Sequence, residues 1–259
     1  MSEQQVYSVP RETENQTHIR NDQYLAMYDA SIKRSEEFWS QKADEFINWF
    51  KPWDKLTESD FNEGQAKWFI GGRLNACYNC VDRHLALKAD HTAIIWEGDD
   101  PSVSKSITYN ELHKNVCKLT NVLKENGVSK GDRVILYMPM VPEAAYAMLA
   151  CARIGAIHSV VFAGFSPEAL ASRIKDCGAT AIITADEAPR GGKQTPLKKN
   201  VDEALEIAGD ITTLVLRRTG GNVSFKEGRD FWLNDLMEKA SSICEAEPMN
   251  SEDPLFILY

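Results

Sequence analysis

The polar and apolar positions of the N-terminal part of the chain follow no single period. Residues 1–20 are polar and without a pattern, which predicts a loose or surface-bound arm. Between residues 24 and 50, apolar side chains recur at helical spacings among charged ones, which predicts two or three short helices. Residues 53–84 mix glycine, asparagine and aromatic side chains without a period, as an extended segment does. We therefore expect residues 1–90 to be a helical and extended segment that packs on a larger body.

From residue 91 onward the pattern becomes regular. Residues 91–97 and 105–108 have the composition of strands and flank a turn-rich stretch, so they predict a β-hairpin. Thr108 and Glu111 have the spacing of a capping box, and apolar positions on one helical face follow them. Beyond this helix, strand and helix patterns alternate with short connections, which is typical of a parallel sheet with crossover helices. The fold class predicted for residues 91–259 is therefore α/β.

The predicted strands of this sheet are residues 133–138, 156–162, 179–184 and 213–217. The helices between them are predicted to begin at Pro142, at Pro167 after an N-cap serine, and at Pro196 after an N-cap threonine. The first of these helices is apolar nearly all round as far as Ile154, so we expect it to be deeply buried. Residues 255–259 are a strand-like apolar run that stops abruptly, and we expect the chain to be cut from a longer one.

Composition and charge narrow the classes of function. Of the 259 residues, 43% are apolar and 26% are charged, as in an ordinary globular protein. The formal net charge of −9 argues against a nucleic-acid or anionic-membrane surface, since both require a basic face. No apolar run approaches the ~18 residues that span a bilayer, and the N-terminus lacks the order of a signal peptide. We therefore expect a cytoplasmic protein with neither nucleic-acid nor membrane partners.

Six cysteines are scattered along the chain, and several lie in apolar patterns where a free thiol acts as a small hydrophobe. Cys77, Cys80 and His84 have a spacing that can begin a zinc or redox site. A zinc site needs a fourth ligand and the sequence has no second C-x-x-C, so buried structural cysteines are favoured and no metal ligand is predicted. For His84, a structural salt-bridged turn is favoured over proton transfer.

The segment after the third predicted strand of the sheet has the strongest candidate chemistry. It places Arg190, Gly191, Gly192 and Lys193 together on what we expect to be a short flexible loop at residues 185–193. Such a loop suits an anion, because glycines let backbone N–H groups approach it and the cations supply charge. The alternative is a solvated turn whose charges pair with the neighbouring acidic residues Asp186 and Glu187. The residues alone leave these two interpretations open.

The segment after the second predicted strand leads from Phe162 and Gly164 into the N-terminus of a helix. The free N–H groups of that terminus can receive part of the same anion. A tight turn with Ser166 as N-cap and packing phenylalanines is the favoured alternative. Elsewhere the sequence has no G-x-S-x-G, no Walker loop and no zinc-ligand histidine pair, so no catalytic residue is predicted.

Seven blocks of the sequence resemble acetyl-CoA synthetases, in the order in which that family has them. They are WF at 68–69 with LN at 74–75, NCVDRH at 79–84, IWEGD at 95–99, YMPM at 137–140, CARIGA at 151–156, GFSPEA at 164–169 and DPLFILY at 253–259. The resemblance runs from about residue 20 to the end and is specific for the acetyl- and propionyl-CoA synthetase branch of the adenylate-forming enzymes. It implies that residues 91–259 are the first part of the large N-terminal AMP-binding domain of those enzymes.

The resemblance also implies a reaction and a role for the anion loop. Acetate attacks the α-phosphate of Mg-ATP to give acetyl-AMP and pyrophosphate, and the thiol of CoA then displaces AMP. The loop from Arg190 through Gly191 and Gly192 to Lys193 would contact the 3′-phosphorylated ADP end of CoA, with Phe162 and Gly164 beside the adenine. The family often has a second arginine where this chain has Lys193, which keeps the positive charge without a guanidinium's paired hydrogen bonds.

In the family, the loop that holds the phosphates of ATP follows directly after the equivalent of Tyr259. Later segments supply the acetate pocket, the adenine site, the Mg²⁺ ligand and the catalytic lysine. We therefore expect the 259-residue chain alone to form neither acetyl-AMP nor acetyl-CoA. Propionyl-CoA synthetase is an alternative, because the residues that size the acyl pocket come later. A non-catalytic CoA- or nucleotide-binding module is an alternative of another class, and the apolar run at residues 255–259 speaks against it.

Overall fold

The computed structural model describes residues 7–259, and its first part is helical and then extended. The elements there are α1 (Arg11–Gln16), α2 (Asn21–Lys33), α3 (Ser35–Phe46), β1 (Lys55–Asp60), β2 (Gln65–Ile70), β3 (Arg73–Leu74), α4 (Ala76–Cys80), a 3-10 helix (Asp82–His84) and α5 (Leu85–Lys88). Helices α2 and α3 confirm the short helices predicted between residues 24 and 50. Of the predicted arm, residues 1–6 lie outside the described residues, and α1 is a helix that the polar sequence did not predict.

The larger part of the chain alternates strands and helices. Its elements are β4 (Thr92–Glu97), β5 (Ser104–Thr108), α6 (Tyr109–Glu125), β6 (Arg133–Tyr137), α7 (Pro142–Ile154), β7 (Ile157–Val160), α8 (Pro167–Cys177), β8 (Ala181–Ala185), β9 (Ala188–Arg190), β10 (Lys193–Thr195), α9 (Leu197–Ala208), β11 (Thr212–Leu216), β12 (Asp230–Trp232), α10 (Leu233–Lys239), β13 (Met249–Asn250) and β14 (Phe256–Ile257).

Six of these strands form one sheet in the order β12–β11–β8–β6–β7–β14. Every neighbouring pair is parallel, with Val134 of β6 opposite Ala181 of β8 and His158 of β7. Helices α6, α7 and α10 pack together, and α8 packs on α9. Parallel strands are joined by right-handed crossovers, and crossovers that run in opposite directions along a sheet place their helices on opposite faces. Helices α6, α7 and α10 therefore cover one face of the sheet, and α8 and α9 cover the other. The predicted α/β class is confirmed.

The helix termini show why the local predictions succeeded. Thr108 and Glu111 form the predicted capping box, in which the Thr108 hydroxyl accepts the N–H of Glu111 at 3.2 Å and the Glu111 carboxylate accepts the N–H of Thr108 at 2.8 Å. Pro142 begins α7 as predicted, and the helix is mostly buried. The predicted N-cap Thr195 is wrong: it belongs to β10, and Pro196 takes the cap position instead.

The segment before the sheet is tied to it by buried polar contacts. Asp82 forms two hydrogen bonds of 2.8 Å with the buried guanidinium of Arg153, and its Oδ1 lies 3.3 Å from Nε2 of His113, as in an ion pair. The favoured salt-bridged turn at His84 is therefore built on Asp82, while the His84 ring itself lies 5.4 Å from the ring of Tyr109. The described helices are all too short or too polar to cross a membrane.

Candidate functional site

The carboxyl ends of the parallel strands lie at one edge of the sheet. The connection that leaves β6 leads to β7 on one side, whereas the connection that leaves β8 leads to β11 on the other. Open α/β sheets bind ligands in the crevice beside such a reversal of direction. The segments that follow β7 and β8 contain every site residue predicted from the sequence, and both lie at this edge.

The segment after β8 is an antiparallel hairpin, and the flexible loop predicted there is wrong. Strands β9 and β10 place Arg190 directly opposite Lys193, and Gly191 and Gly192 form the turn between them. The φ angles of the two glycines are 56° and 74°, as a type I′ turn requires. Cβ atoms added to them would meet nothing within 4 Å, so backbone conformation and not space demands glycine. The tip is therefore preformed.

The structure brings Arg190 and Phe162 together. The guanidinium carbon of Arg190 lies 5.4 Å from the centroid of the Phe162 ring, within the range of a cation–π contact. Phe165 packs edge-on against the same ring, with centroids 5.8 Å apart. Phe162 keeps 54% of its surface exposed. The edge of the sheet thus offers solvent an aromatic face next to a guanidinium.

Gly164 allows the Phe162 ring to lie across its own loop. A Cβ atom built on Gly164 would approach ring atoms of Phe162 to 2.4, 3.1 and 3.2 Å, and these are its three nearest contacts. Real Cβ atoms do not approach other carbon atoms to 2.4 Å, so any larger residue forces the ring to move. Gly164 therefore acts on the position of Phe162, which in turn supports Arg190.

The backbone N–H groups of the hairpin tip point at a carboxylate. Gly191 and Gly192 donate to the two oxygens of Asp99 with N···O distances of 3.2 and 3.5 Å. Asp99 lies in the turn between β4 and β5, so the contact joins two hairpins that are distant in sequence. Both N–H groups thus face one anionic group, which is the donor arrangement of an anion site.

The acidic neighbours of the hairpin do not neutralise its cations. Asp186 is fully buried and turns to the segment after β11, where it accepts the N–H groups of Arg218 at 2.9 Å and Gly220 at 2.8 Å. The Glu187 carboxylate accepts the hydroxyl hydrogen of Thr219 at 2.7 Å. Within residues 7–259 neither cation of the hairpin forms a salt bridge. The alternative of a turn paired with Asp186 and Glu187 is therefore wrong.

The hydroxyl of Tyr137, at the end of β6, contacts the backbone of the loop after β7. This hydroxyl lies 3.0 Å from the carbonyl oxygen of Ala163 and 2.9 Å from that of Phe165, and it accepts an N–H of Asn200 at 3.1 Å. Burial raises the pKa of Tyr137, and the hydrogen bond from Asn200 opposes that shift. Because Asn200 belongs to α9, which follows the hairpin, this hydroxyl links both segments of the site.

The N-terminus of α8 has the cap that the sequence favoured. The Ser166 hydroxyl accepts the N–H of Ala169 at 3.4 Å, and Pro167 occupies the first helical position. The aromatic rings of this turn pack on one another, as described above. This is the tight-turn interpretation, in which the helix end serves its own loop.

Comparison with known families shows which family the chain belongs to. A family model described as AMP-binding enzyme matches residues 81–259. The chain belongs to the AMP-binding enzyme family. A second model, described as the acetyl-coenzyme A synthetase N-terminus, matches residues 24–80. The resemblance predicted from the seven sequence blocks is confirmed.

Curated relatives match along the whole chain. Acetyl-coenzyme A synthetase 2 of Pseudomonas aeruginosa is 53% identical over 260 residues, and the acetyl-coenzyme A synthetases of Saccharophagus degradans and Brucella anthropi are 54% and 55% identical over 260 and 265 residues. All of this chain is covered in each case, but only 40% of the relative. The chain thus spans about two fifths of the length of these members of the AMP-binding family.

A solved structure shares the fold. The acetoacetyl-CoA synthetase from Streptomyces lividans superposes with a TM-score of 0.83 at 22% identity, and the match covers 96% of this chain and 38% of that one. The α/β fold predicted from the sequence is therefore shared with that synthetase.

Three residues of the site escaped the sequence analysis. Asp99 was assigned to a turn and Tyr137 to a strand, and both fell within blocks of the family resemblance, but neither was given a role in the site. Asp186 was considered only as a charge partner for the hairpin. The contacts of Asp99 and Tyr137 bridge 92 and 63 residues of sequence, to Gly191 and Asn200 respectively. Local spacing carries no signal for such contacts.

The C-x-x-C pair lies away from this edge of the sheet. Cys77 is buried on α4 and Cys80 is exposed. Burial raises the pKa of the Cys77 thiol to about 12, which disfavours the thiolate that metal binding and redox chemistry need. In the part of the chain that the structure describes, no group of three His, Cys, Asp or Glu side chains is placed to hold a metal ion.

Proposed function

We propose that this chain is the CoA-binding portion of an AMP-forming acetate–CoA ligase. The complete protein would make acetyl-CoA from acetate, ATP and CoA through an acetyl-AMP intermediate. Identities of 53–55% along the whole chain to three acetyl-coenzyme A synthetases support this proposal. We also infer a cytoplasmic location, because all six cysteines are free thiols, as a reducing compartment keeps them.

The observation behind the CoA assignment is that four groups of three kinds lie at one hairpin tip. Arg190 offers a guanidinium, Lys193 an ammonium, and Gly191 and Gly192 two backbone N–H donors. Phosphate oxygens are the ligands that such a set binds best, because a guanidinium can form paired hydrogen bonds with them. We propose that the tip holds the 3′-phosphorylated ADP end of CoA.

The aromatic side of the site would receive the adenine of CoA. Phe162 presents an exposed face beside Arg190. Gly164 has no side chain and so leaves room for the ring in this position. A planar base can stack on such a ring without a specific hydrogen-bond pattern. The contact between Arg190 and Phe162 means that one ligand can reach phosphate and ring contacts at the same time.

In this proposal the chain binds and orients CoA, and the chemistry of adenylation lies with other residues. Mg²⁺ and ATP belong to the proposed reaction, and among residues 7–259 no side-chain group fits the metal ion. We therefore assign no residue here to Mg²⁺, to the ATP phosphates or to acetate. What this chain contributes is a fixed position for the nucleotide end of CoA.

We also infer that residues 91–259 are the first part of the AMP-binding domain and that residues 1–90 are a helical and extended segment that packs on it. Asn75 supports this arrangement: its buried side-chain amide donates to the carbonyl oxygens of Ala152 and Glu247, both at 2.9 Å. Asp82 adds the ion pair with Arg153 described above.

The two half-reactions of the complete protein test the proposal. Arg190→Ala removes charge-assisted hydrogen bonds of roughly 1.5–3 kcal/mol, so the KM for CoA is expected to rise about 10- to 100-fold. Acetate-dependent exchange of pyrophosphate into ATP uses no CoA and is expected to stay within about twofold. Arg34→Ala, an exposed arginine at the start of α3, is the matched control. Equal losses in both half-reactions would refute the assignment.

A further inference from the structure

The hairpin tip already holds an anion that belongs to the protein. The Asp99 carboxylate lies 3.2 Å from the amide nitrogen of Gly191 and 3.5 Å from that of Gly192, so each oxygen faces one donor. Both glycines have positive φ, which is what turns their N–H groups toward one point. Asp99 is exposed, so solvent and solutes reach this contact.

The charge around the tip exceeds what one carboxylate neutralises. Arg190 and Lys193 stand directly opposite each other in the β9–β10 register, and like charges at such positions destabilise a hairpin. Within the described residues 7–259 neither of them forms a salt bridge. The tip thus combines two cations and two N–H donors with the single negative charge of Asp99. A group with more charge and more oxygens fits this set better than a carboxylate does.

The backbone of the turn that contains Asp99 is fixed by its own hydrogen bonds, independently of the β9–β10 hairpin. Gly98 donates its N–H to the carbonyl oxygen of Val103 at 2.7 Å, and Val103 donates to that of Asp100 at 2.9 Å. The indole N–H of Trp96 donates to the carbonyl oxygen of Met140 at 2.8 Å, which fixes the same turn over the sheet edge. The contact between Asp99 and the tip can therefore break while both hairpins stay folded.

We propose that Asp99 is an internal stand-in for phosphate, which occupies the N–H pair of Gly191 and Gly192 until a phosphate group of the ligand displaces it. The inference rests on the proposed CoA site and adds to it a residue that opposes binding. Displacement releases one carboxylate to water and puts a dianionic phosphate between the two cations. The unliganded tip stays ordered, and ligands without a phosphate gain nothing from replacing Asp99.

The affinity of the complete protein for CoA, measured by calorimetry, tests this role. Asp99→Asn keeps the size and one acceptor oxygen but removes the charge, so CoA is expected to bind roughly fivefold tighter, as for two unit charges about 4 Å apart in water. Asp100→Asn is the matched control, since it makes the same charge change on the next residue. The Asp100 carboxylate accepts the N–H of Ser102 at 2.9 Å and does not touch the tip. Its effect on CoA binding is expected to stay within about twofold.

The outcomes separate this inference from the proposal it rests on. If wild-type protein binds CoA in an Arg190-dependent manner, but Asp99→Asn binds it equally or more weakly, the role of Asp99 is refuted and the CoA site stands. If wild-type protein does not bind CoA, both are refuted. Asp99→Ser is the second variant, because it lacks the charge and tests whether a result depends on the asparagine side chain.

Discussion

At the scale of single residues, Gly164 and Phe162 act as one unit. The three atoms nearest to a Cβ built on Gly164 all belong to the Phe162 ring. We predict that Gly164→Ala weakens CoA binding about threefold or more while it changes the free energy of unfolding by less than about 1 kcal/mol, because an exposed ring moves cheaply. In a Phe162→Ala background the same substitution is expected to have no further effect on CoA affinity. Additive losses in this double-mutant cycle would show that Gly164 acts through something else.

The pair of His113 and Asp82 sets a pH dependence of stability. Burial would raise the pKa of Asp82, but hydrogen bonds from His113 and Arg153 outweigh it and hold the pKa at about 2. The hydrogen bond to Asp82 raises the pKa of His113 to about 9, against 6.5 in an unfolded chain. The stabilisation from protonated His113 is therefore complete below about pH 6.5 and is lost as the pH rises through about 9.

We predict that His113→Asn lowers the free energy of unfolding by on the order of 2 kcal/mol at pH 6 and flattens its decline between pH 6.5 and 9. Chemical denaturation of this chain across that range measures both effects. His91→Asn is the control, because His91 is exposed and its change should leave the pH profile of the wild type intact. A His113 variant that keeps the wild-type slope would contradict the pairing.

At the scale of elements, Asp186 ties the end of β8 to the segment after β11. Its carboxylate also accepts the N–H of Glu187 at 2.7 Å and that of Thr219 at 3.2 Å, besides those of Arg218 and Gly220. Within residues 7–259 these four N–H groups have no other backbone acceptor, so removing the carboxylate leaves them unsatisfied in a partly buried site.

We predict that Asp186→Ala destabilises the protein by about 2–4 kcal/mol and that the neighbouring Glu187→Gln costs less than about 1 kcal/mol. The midpoint of chemical denaturation compares the two substitutions at adjacent positions. Similar midpoints for both variants would mean that the buried carboxylate is not the tie between these segments.

The sequence predicted the elements whose signals are local. The capping box at Thr108, the proline that begins α7 and the alternation of strands and helices each involve residues a few positions apart, so their pattern survives in a single sequence. The hairpin of β9 and β10 was missed because strands of three residues are too short for a period of two to show. The N-cap prediction for Thr195 failed because this residue pairs with Ala188 in the hairpin, and that pairing was not predicted.

The residues of the candidate site also fall into those that the sequence indicated and those that only the structure shows. Arg190, Lys193 and the two glycines were singled out because two cations and two glycines are unusual together in a loop at the end of a strand. Phe162 was named as a binding residue only through the family resemblance. Asp99 was not predicted as a site residue, because its role depends on a contact 92 residues away. The residues of the loop left an anion site and a solvated turn open, and only the folded arrangement shows that a carboxylate of the chain accepts both glycine N–H groups.

At the scale of the whole molecule, the net charge of −9 makes the cationic tip exceptional. An acidic protein repels an anionic ligand at long range, so local contacts must supply the attraction. The groups proposed to bind phosphate therefore have to be concentrated, as they are on the β9–β10 hairpin. The chain spans about two fifths of its relatives, and the proposed ligase activity belongs to the complete protein.

The affinity of the complete protein for CoA and for 3′-dephospho-CoA, in wild type and in Arg190→Ala, tests the central claim most directly. We predict that wild-type protein binds CoA roughly tenfold or more tightly than dephospho-CoA, because dephospho-CoA lacks the phosphate that makes a charge-assisted contact. We also predict that Arg190→Ala removes most of this preference and that Arg34→Ala keeps it. An Arg190 variant that discriminates as well as the wild type would show that the hairpin tip does not hold the 3′-phosphate of CoA.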